Sequence, residues 1–248
     1  MRTLPAVAVA TYNVHGCVGR DGRRDPVRVA AVLRELRADV VALQEVESDP
    51  LLGESHDQPR FLAAELGMEV VEGPTLLRPS GHFGNALLTR LPVTAARRID
   101  LTVEGREPRG AIDADLAWEG GVLRVIATHL GLNAWERHEQ VTRLLQALER
   151  RRPPATLVLG DFNAWFPASR AVQRLDQRLG RGAAPAAYPS WRPLLALDRI
   201  WATPHAALTR AAAHLSDSSR AASDHLPIRA VIDLGCPPDG HEAAPVEG

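Results

Sequence analysis

The stretch LVLGDFNAW, Leu157 to Trp165, constrains this 248-residue chain more than any other. An apolar, β-prone run passes through a glycine into an aspartate and, one residue further, an asparagine. Asp and Asn are ordinary turn residues, because their side chains bond nearby backbone and tolerate unusual φ/ψ. The spacing also has a second use. Residues two apart in extended backbone point the same way, so a strand here would deliver Asp161 and Asn163 together to one edge of a sheet. The pattern recurs along the chain. Asn13 and His15 follow AVAVATY, Gln44 and Glu45 follow DVVAL, Asn85 opens GNALL, His129 follows VIAT, Asp198 precedes RIWA, and Asp224 with His225 precedes LPI. If these strands share a sheet, their polar groups converge at one end of it, and converging carboxylates repel unless positive charge lies among them. A hard divalent cation with oxygen ligands resolves that repulsion.

Between these runs the apolar periodicity changes to that of helices. Asp25 to Arg37 places Val29, Val32, Leu33 and Leu36 at three-to-four spacing, and Asp25-Pro26 supplies an N-cap followed by proline at the first helical position. Further helices are expected at Pro59 to Leu66, Asn133 to Arg151 and Ser169 to Leu179, and a strand at Met68 to Val71. The middle differs: Gly84–Thr89, Val93–Val103, Arg109–Trp118 and Gly121–His129 are consecutive strand candidates, which implies antiparallel pairing inside a mixed sheet. After a Gly/Ala/Pro-rich loop to about Pro193, strands are expected at Leu197–Thr203 and Leu226–Leu234. With no repeat and no clear linker, residues 1–234 read as one α/β domain. The Pro/Gly-rich residues 235–248 read as a disordered tail.

Bulk properties exclude some classes. The formal net charge is −1, which argues against gripping long nucleic acid through bulk electrostatics. The two cysteines, Cys17 and Cys236, lie far apart and indicate no disulfide framework, so a reducing, cytoplasmic setting is expected. No run approaches the roughly 18 apolar residues that a membrane span needs. Neither an HExxH-like nor a CxxC spacing occurs, which disfavours a zinc site. Nothing indicates an obligate protein partner.

The segments TYNVHG, LQEV, GNALLTRLPV, THLG, GDFNA, LDRIWA and SDHLPI, in that order over roughly residues 7 to 233, resemble the successive signatures of the endonuclease/exonuclease/phosphatase superfamily. That superfamily includes pancreatic-type deoxyribonucleases, apurinic endonucleases, neutral sphingomyelinases and inositol polyphosphate 5-phosphatases. The resemblance implies a four-layer α/β sandwich, two mixed sheets face to face with helices outside. It also implies a Mg²⁺-dependent (Mn²⁺ possible) hydrolase of phosphodiester bonds. The first substrate expectation is nuclease-like action on nucleic acid. The second is a phospholipid headgroup or other small phosphorylated molecule.

By the same resemblance, Glu45 is the principal metal ligand, with Asn13 nearby and Asp224 at that site or a second one. Asp161 would orient or deprotonate the attacking water, and Asn163 would hold that water or a phosphate oxygen. His225 would donate to the phosphate while Asp198 fixes its tautomer. His129 would stabilise phosphate or protonate the leaving oxygen. Asn85 would organise the site, and Arg109, or alternatively Arg106, would add a phosphate contact. His15 stands where apurinic endonucleases carry an acid, so it is expected to donate to phosphate rather than bind metal, which weakens a DNA-repair assignment. A scaffold that had lost its chemistry would have no reason to keep Glu45, His129, Asp161, Asn163, Asp198, Asp224 and His225 together.

Overall fold

A computed structural model describes residues 6–119, 121–151, 153–166 and 169–235. The expected tail beyond Gly235, with Cys236, lies outside the described residues. Two mixed sheets face one another. The first has six strands in the order β10-β11-β1-β2-β4-β3: β10 (Leu208–Ala213), β11 (Ile228–Asp233), β1 (Ala6–Asn13), β2 (Val40–Ser48), β4 (Gly81–Thr89) and β3 (Glu69–Arg78). The second has five in the order β5-β6-β7-β8-β9: β5 (Val93–Asp100), β6 (Gly110–Trp118), β7 (Gly121–His129), β8 (Ala155–Asp161) and β9 (Asp198–Thr203).

Three buried apolar layers follow from which face of each strand is apolar. Val9, Val40, Ala42 and Leu87 of the first sheet meet Ile112, Val125, Leu157 and Ile200 of the second in the central core. Tyr12, Val41 and Leu43 point the other way, onto Val29, Val32, Leu33 and Leu36 of α1 (Pro26–Leu36) and Leu62 and Leu66 of α2 (Gln58–Leu66). Ile126, Val158 and Trp201 cover α3 (Ala134–Arg150) and α4 (Arg170–Leu179) through Val141, Leu144, Val172 and Leu175. Each fully buried Leu, Ile or Val in these layers contributes roughly 1.5–3 kcal/mol relative to exposure. β-Strands buried on both faces read as unbroken apolar runs, which is why LVL and VVAL show no alternation.

The helix starts follow local chemistry. Asp25 caps α1 by accepting the Arg28 N–H at 3.0 Å, with Pro26 at the first turn. Asn133 caps α3 in a reciprocal arrangement with Glu136. Two elements are additional to the sequence expectations, β10 and α5 (Asp217–Ala222). β10 is an alanine-rich edge strand with little apolar contrast between its faces, and α5 has six residues, too few to show a period. The strands near residues 69 and 81 are also longer than expected, because β3 and β4 pair out to Arg78 and Gly81.

Register positions the polar strand ends. β1 and β2 run parallel with Asn13 opposite Gln44. β7 and β8 run parallel with His129 opposite Asp161, and Asp161 in turn faces Asp198 of β9. Three of the residues singled out from the sequence thus lie in one row across three neighbouring strands.

Candidate active site

The two rows meet in a cleft of about 340 Å³ whose lining includes Asn13, Glu45, Arg109, His129, Asp161, Asn163, Asp224 and His225. Asn13 joins the sheets. Its amide Nδ2 donates to Glu45 Oε1 at 2.8 Å and to Asp161 Oδ2 at 3.2 Å, while its Oδ1 accepts the His15 N–H at 3.0 Å. Glu45 does not end its strand, as the sequence suggests; β2 continues to Ser48. Its register against β4 shifts between Leu43 and Val46, so β2 carries one extra residue there, and Glu45 sits at φ 57. A bulge of this kind re-aims a side chain, and here it turns the carboxylate into the cleft.

Asn163 reaches the cleft by a different route from the one its spacing suggests. β8 stops at Asp161, and Asn163 has φ 48, so the two residues do not share a pleat. Instead the Asn163 N–H donates to Asp161 Oδ1 at 2.9 Å and closes a side-chain turn. The Asn163 amide then donates to Leu130 O at 2.9 Å and contacts His129 Nε2 at 3.0 Å. The Leu130 carbonyl can only accept, which fixes the amide NH₂ toward it and makes His129 Nε2 the second acceptor. His15, Glu45 and Asn163 all adopt left-handed backbone, a concentration of strained non-glycine residues typical of functional sites.

Charge is distributed unevenly. His225 Nδ1 lies 2.7 Å from Asp198 Oδ2, and His225 Nε2 lies 3.7 Å from Asp161 Oδ2. Burial pulls the His225 pKa down, but Asp198, Asp161 and Asp224 outweigh it and raise it to about 10, so the ring is an imidazolium. Burial pushes the fully enclosed Asp198 up. Asp198 Oδ1 has no hydrogen-bond partner among the described residues, so His225 is its principal support. For Asp161, burial favours the neutral acid, yet His129, His225, the Asn163 N–H and the Asn13 amide together hold its pKa below the usual range. Burial lowers His129, in keeping with a neutral ring that accepts at Nε2.

The remaining expected residues lie around this centre. Asp198 stands behind His225 and away from the cleft surface. Asn85 supports the wall from behind, its amide donating to Gly110 O at 3.1 Å, and borders a small void with Arg109 and His129. Of the two arginines left open by the sequence, Arg109 lines the cleft and is buried, held by Glu107 at 3.3 Å, while Arg106 is exposed in a turn. Arg109 Nε has no hydrogen-bond partner among the described residues. His15 is exposed at the rim, its Nδ1 3.7 Å from Asp224. The sequence did not single out Tyr188, which lines the cleft with its ring centroid 4.8 Å from that of His225. It lies in the Gly/Ala/Pro-rich loop, where the only signal is a pair of aromatics, Tyr188 and Trp191, in a stretch without periodicity.

The donor set suits a hard divalent ion. Asn13 occupies one oxygen of Glu45, Asp224 is half-exposed, and no guanidinium pairs with Glu45, Asp161 or Asp224 among the described residues. Such an unneutralised oxygen cluster matches Mg²⁺ chemistry. Asp161, Asp198 and His225 also bring ligand atoms within 4.8 Å of one another. There, however, His225 Nδ1 is already engaged by Asp198 and the ring is cationic, so the Glu45 side is the better metal position.

A model of the endonuclease/exonuclease/phosphatase family matches residues 10–225. The chain belongs to this family. Its members are hydrolytic enzymes, generally dependent on a divalent metal. Among curated relatives, the uncharacterised protein YbhP of Escherichia coli (strain K12) is 32% identical over 243 residues, covering 91% of this chain and 96% of its own length. The solved endonuclease/exonuclease/phosphatase from Beutenbergia cavernae DSM 12333 superposes with a TM-score of 0.76 at 26% identity, covering 95% of this chain and 73% of that one. The human Nocturnin catalytic domain, solved with a bound sulfate anion, superposes with a TM-score of 0.71 at 24% identity, covering 92% of this chain and 94% of that one. These superpositions match the two-sheet sandwich with outer helices that the sequence resemblance implied.

Proposed function

We propose that the chain is a Mg²⁺-dependent phosphodiesterase that hydrolyses its substrate by in-line attack of water. One observation carries the reading: the anionic Asp161 lies between two imidazoles, and the cationic one, His225, is backed by the buried Asp198. Asp161 accepts the proton of the attacking water, or orients that water, while Asn163 and Asn13 fix where the carboxylate points. His225 donates from Nε2 to a phosphate oxygen as negative charge develops, and Asp198 holds Nδ1 and keeps the ring charged. Arg109 offers a second cationic contact in the cleft lining. His129 in its neutral state accepts from the Asn163 amide at Nε2 and so orients it. Glu45, Asn13 and Asp224 would hold the metal ion, which supplies Lewis-acid charge against the phosphate.

Hydrolysis of bis-p-nitrophenyl phosphate, followed at 405 nm on the order of pH 8, should require Mg²⁺ or Mn²⁺. It should fall at least about a hundredfold in Asp161→Asn and in His225→Ala. Unchanged turnover in both variants refutes the assignment. For the natural substrate, nucleic acid is the first class to test. A lipid headgroup phosphodiester is the second reading, and the lining of the cleft favours it. Apart from the His225 imidazolium and the metal ion at the reacting phosphate, the lining offers one guanidinium, Arg109, itself paired with Glu107, which is a poor track for a polyanion with phosphates on both sides of the scissile one. A panel of single-stranded DNA, RNA, phospholipids and inositol phosphates under one metal condition separates these classes.

A further inference from the structure

The mouth of the cleft is apolar in a way that a water-facing rim is not. Leu132 and Trp165 line the cleft and are themselves exposed, and four more large apolar side chains project within three residues of lining positions. Phe166, next to Trp165, is 75% exposed; Trp135, on the first turn of α3, is 58% exposed; Trp191 and Leu194, in the loop that carries Tyr188, are 53% and 65% exposed. They belong to three separate pieces of chain, and each piece carries residues that line the cleft. Trp165 packs edge-on against Tyr188 with centroids 5.9 Å apart, Leu194 N–H donates to Tyr188 O at 2.9 Å, and Ser190 N–H beside Trp191 donates to Asp224 O at 2.6 Å. A half-exposed Trp or Phe presents on the order of 100 Å². Four such aromatics and two exposed leucines together approach the upper end of the largest apolar patch that a monomer ordinarily exposes, a size that is often functional.

We infer that this rim docks the cleft mouth onto a lipid bilayer surface. The inference rests on the phosphodiesterase reading only for its account of why the cleft should face lipid; the docking is measured without turnover. Three features select the occupant. The exposed residues are Trp, Phe and Leu, the set that settles at the boundary between headgroups and acyl chains. Arg192, next to Trp191, and Arg170, four positions after Phe166, are exposed and match the anionic component of a membrane surface. The apolar ring is also continuous with a polar cleft, so a molecule with a phosphate and a neighbouring apolar body contacts both at once. Stacking of nucleic acid on the same aromatics would call for a continuous cationic track, whereas Arg170 and Arg192 are two separate charges at the rim and the one guanidinium of the lining, Arg109, is paired with Glu107. No helix among the described residues is long and apolar enough to cross a membrane, so contact through this rim would be peripheral.

The test uses the full chain and vesicles of phosphatidylcholine with a minority of phosphatidylglycerol. Flotation should carry the wild-type protein with the vesicles. The double variant Phe166→Ser/Trp191→Ser should partition at least about tenfold more weakly, as expected from two lost interfacial aromatics. Its thermal midpoint should match that of the wild type and its turnover of soluble bis-p-nitrophenyl phosphate should stay within about twofold, because neither residue lines the cleft. Wild-type protein that remains in the aqueous fraction, or a variant that floats equally well, overturns the docking while leaving the hydrolase reading intact. A variant that loses affinity for single-stranded DNA but keeps its vesicle binding assigns the rim to nucleic acid and overturns the lipid proposal. Absence of turnover in the wild type on the soluble ester, with vesicle binding retained, refutes the hydrolase reading and not the docking.

Discussion

Asp198→Asn removes the carboxylate behind His225 while keeping its shape. In the wild type, burial lowers the His225 pKa and three carboxylates raise it to about 10, with Asp198 the strongest of them at 2.7 Å. Without that charge, burial is opposed only by Asp161 at 3.7 Å and by the half-exposed Asp224, so the pKa should drop to the ordinary imidazole value of about 6.5 or lower. At about pH 8 the protonated fraction then falls from nearly all to roughly 3%, so loss of the donor alone lowers turnover about thirtyfold. An Asn amide can also present its NH₂ to Nδ1 and stabilise the wrong tautomer, and a loss of about 10²–10⁴ is the usual scale for a misplaced acid or base. The assay is the rate on bis-p-nitrophenyl phosphate from about pH 5.5 to 9 at saturating Mg²⁺, paired with NMR titration of the His225 ring. The variant should recover activity as pH falls through the new, lower His225 pKa, whereas the wild type should hold its donor protonated across the whole range. A variant with wild-type turnover at about pH 8, or a His225 ring that still titrates near its wild-type position, would falsify the donor role.

Other consequences can be measured directly. Glu45→Gln should weaken Mg²⁺ or Mn²⁺ binding in calorimetry at least about tenfold, because a hard cation loses a carboxylate that no guanidinium neutralises; equal affinity would move the metal to another position. Asp113→Ala should lower stability by about 3–5 kcal/mol in urea titration. It strands Arg124, a 1% exposed guanidinium whose Nε and Nη2 each donate to Asp113 at 2.8 Å and which also bonds the end of α3 through Ala147 O and Arg151 O. Acid unfolding should reflect Asp115. Burial raises its pKa but Arg151 and Arg97 outweigh that and lower it, so its contribution to stability is present above the ordinary carboxylate range near pH 4 and is lost as pH falls below it. Asp115→Asn should therefore lower stability above about pH 4, converge with the wild type at low pH, and so flatten the acid-side loss.

Much of the site could be read from the sequence because it lies at strand ends, where one polar residue after an apolar run is conspicuous. His129, Asp161 and Asp198 belong to one register row, so placing the strands places the residues. Glu45 and Asn163 were identified for a reason that the backbone does not obey: a bulge aims one and a side-chain turn the other, and neither device has a periodicity to detect. Asn85 and Asp198 act from behind the cleft, which only packing reveals. Tyr188 was missed because its loop has no pattern, and its meaning comes from the His225 ring against which it rests. β10 was missed because its alanines offer little contrast between faces.

The pairing of β1 with β11 has a temporal consequence. Ala6–Asn13 is central in its sheet, yet it is flanked on one side by Ile228–Asp233, and Asn13 bridges to Asp161, 148 positions away. On the proposed mechanism, the side chains assigned to the phosphate are all made before the final strand, Ile228–Asp233, that pairs with Ala6–Asn13 and follows Asp224 and His225. A ribosome-bound chain is therefore inert until almost the whole sequence has emerged, and the hydrolytic centre comes into being in a single late step.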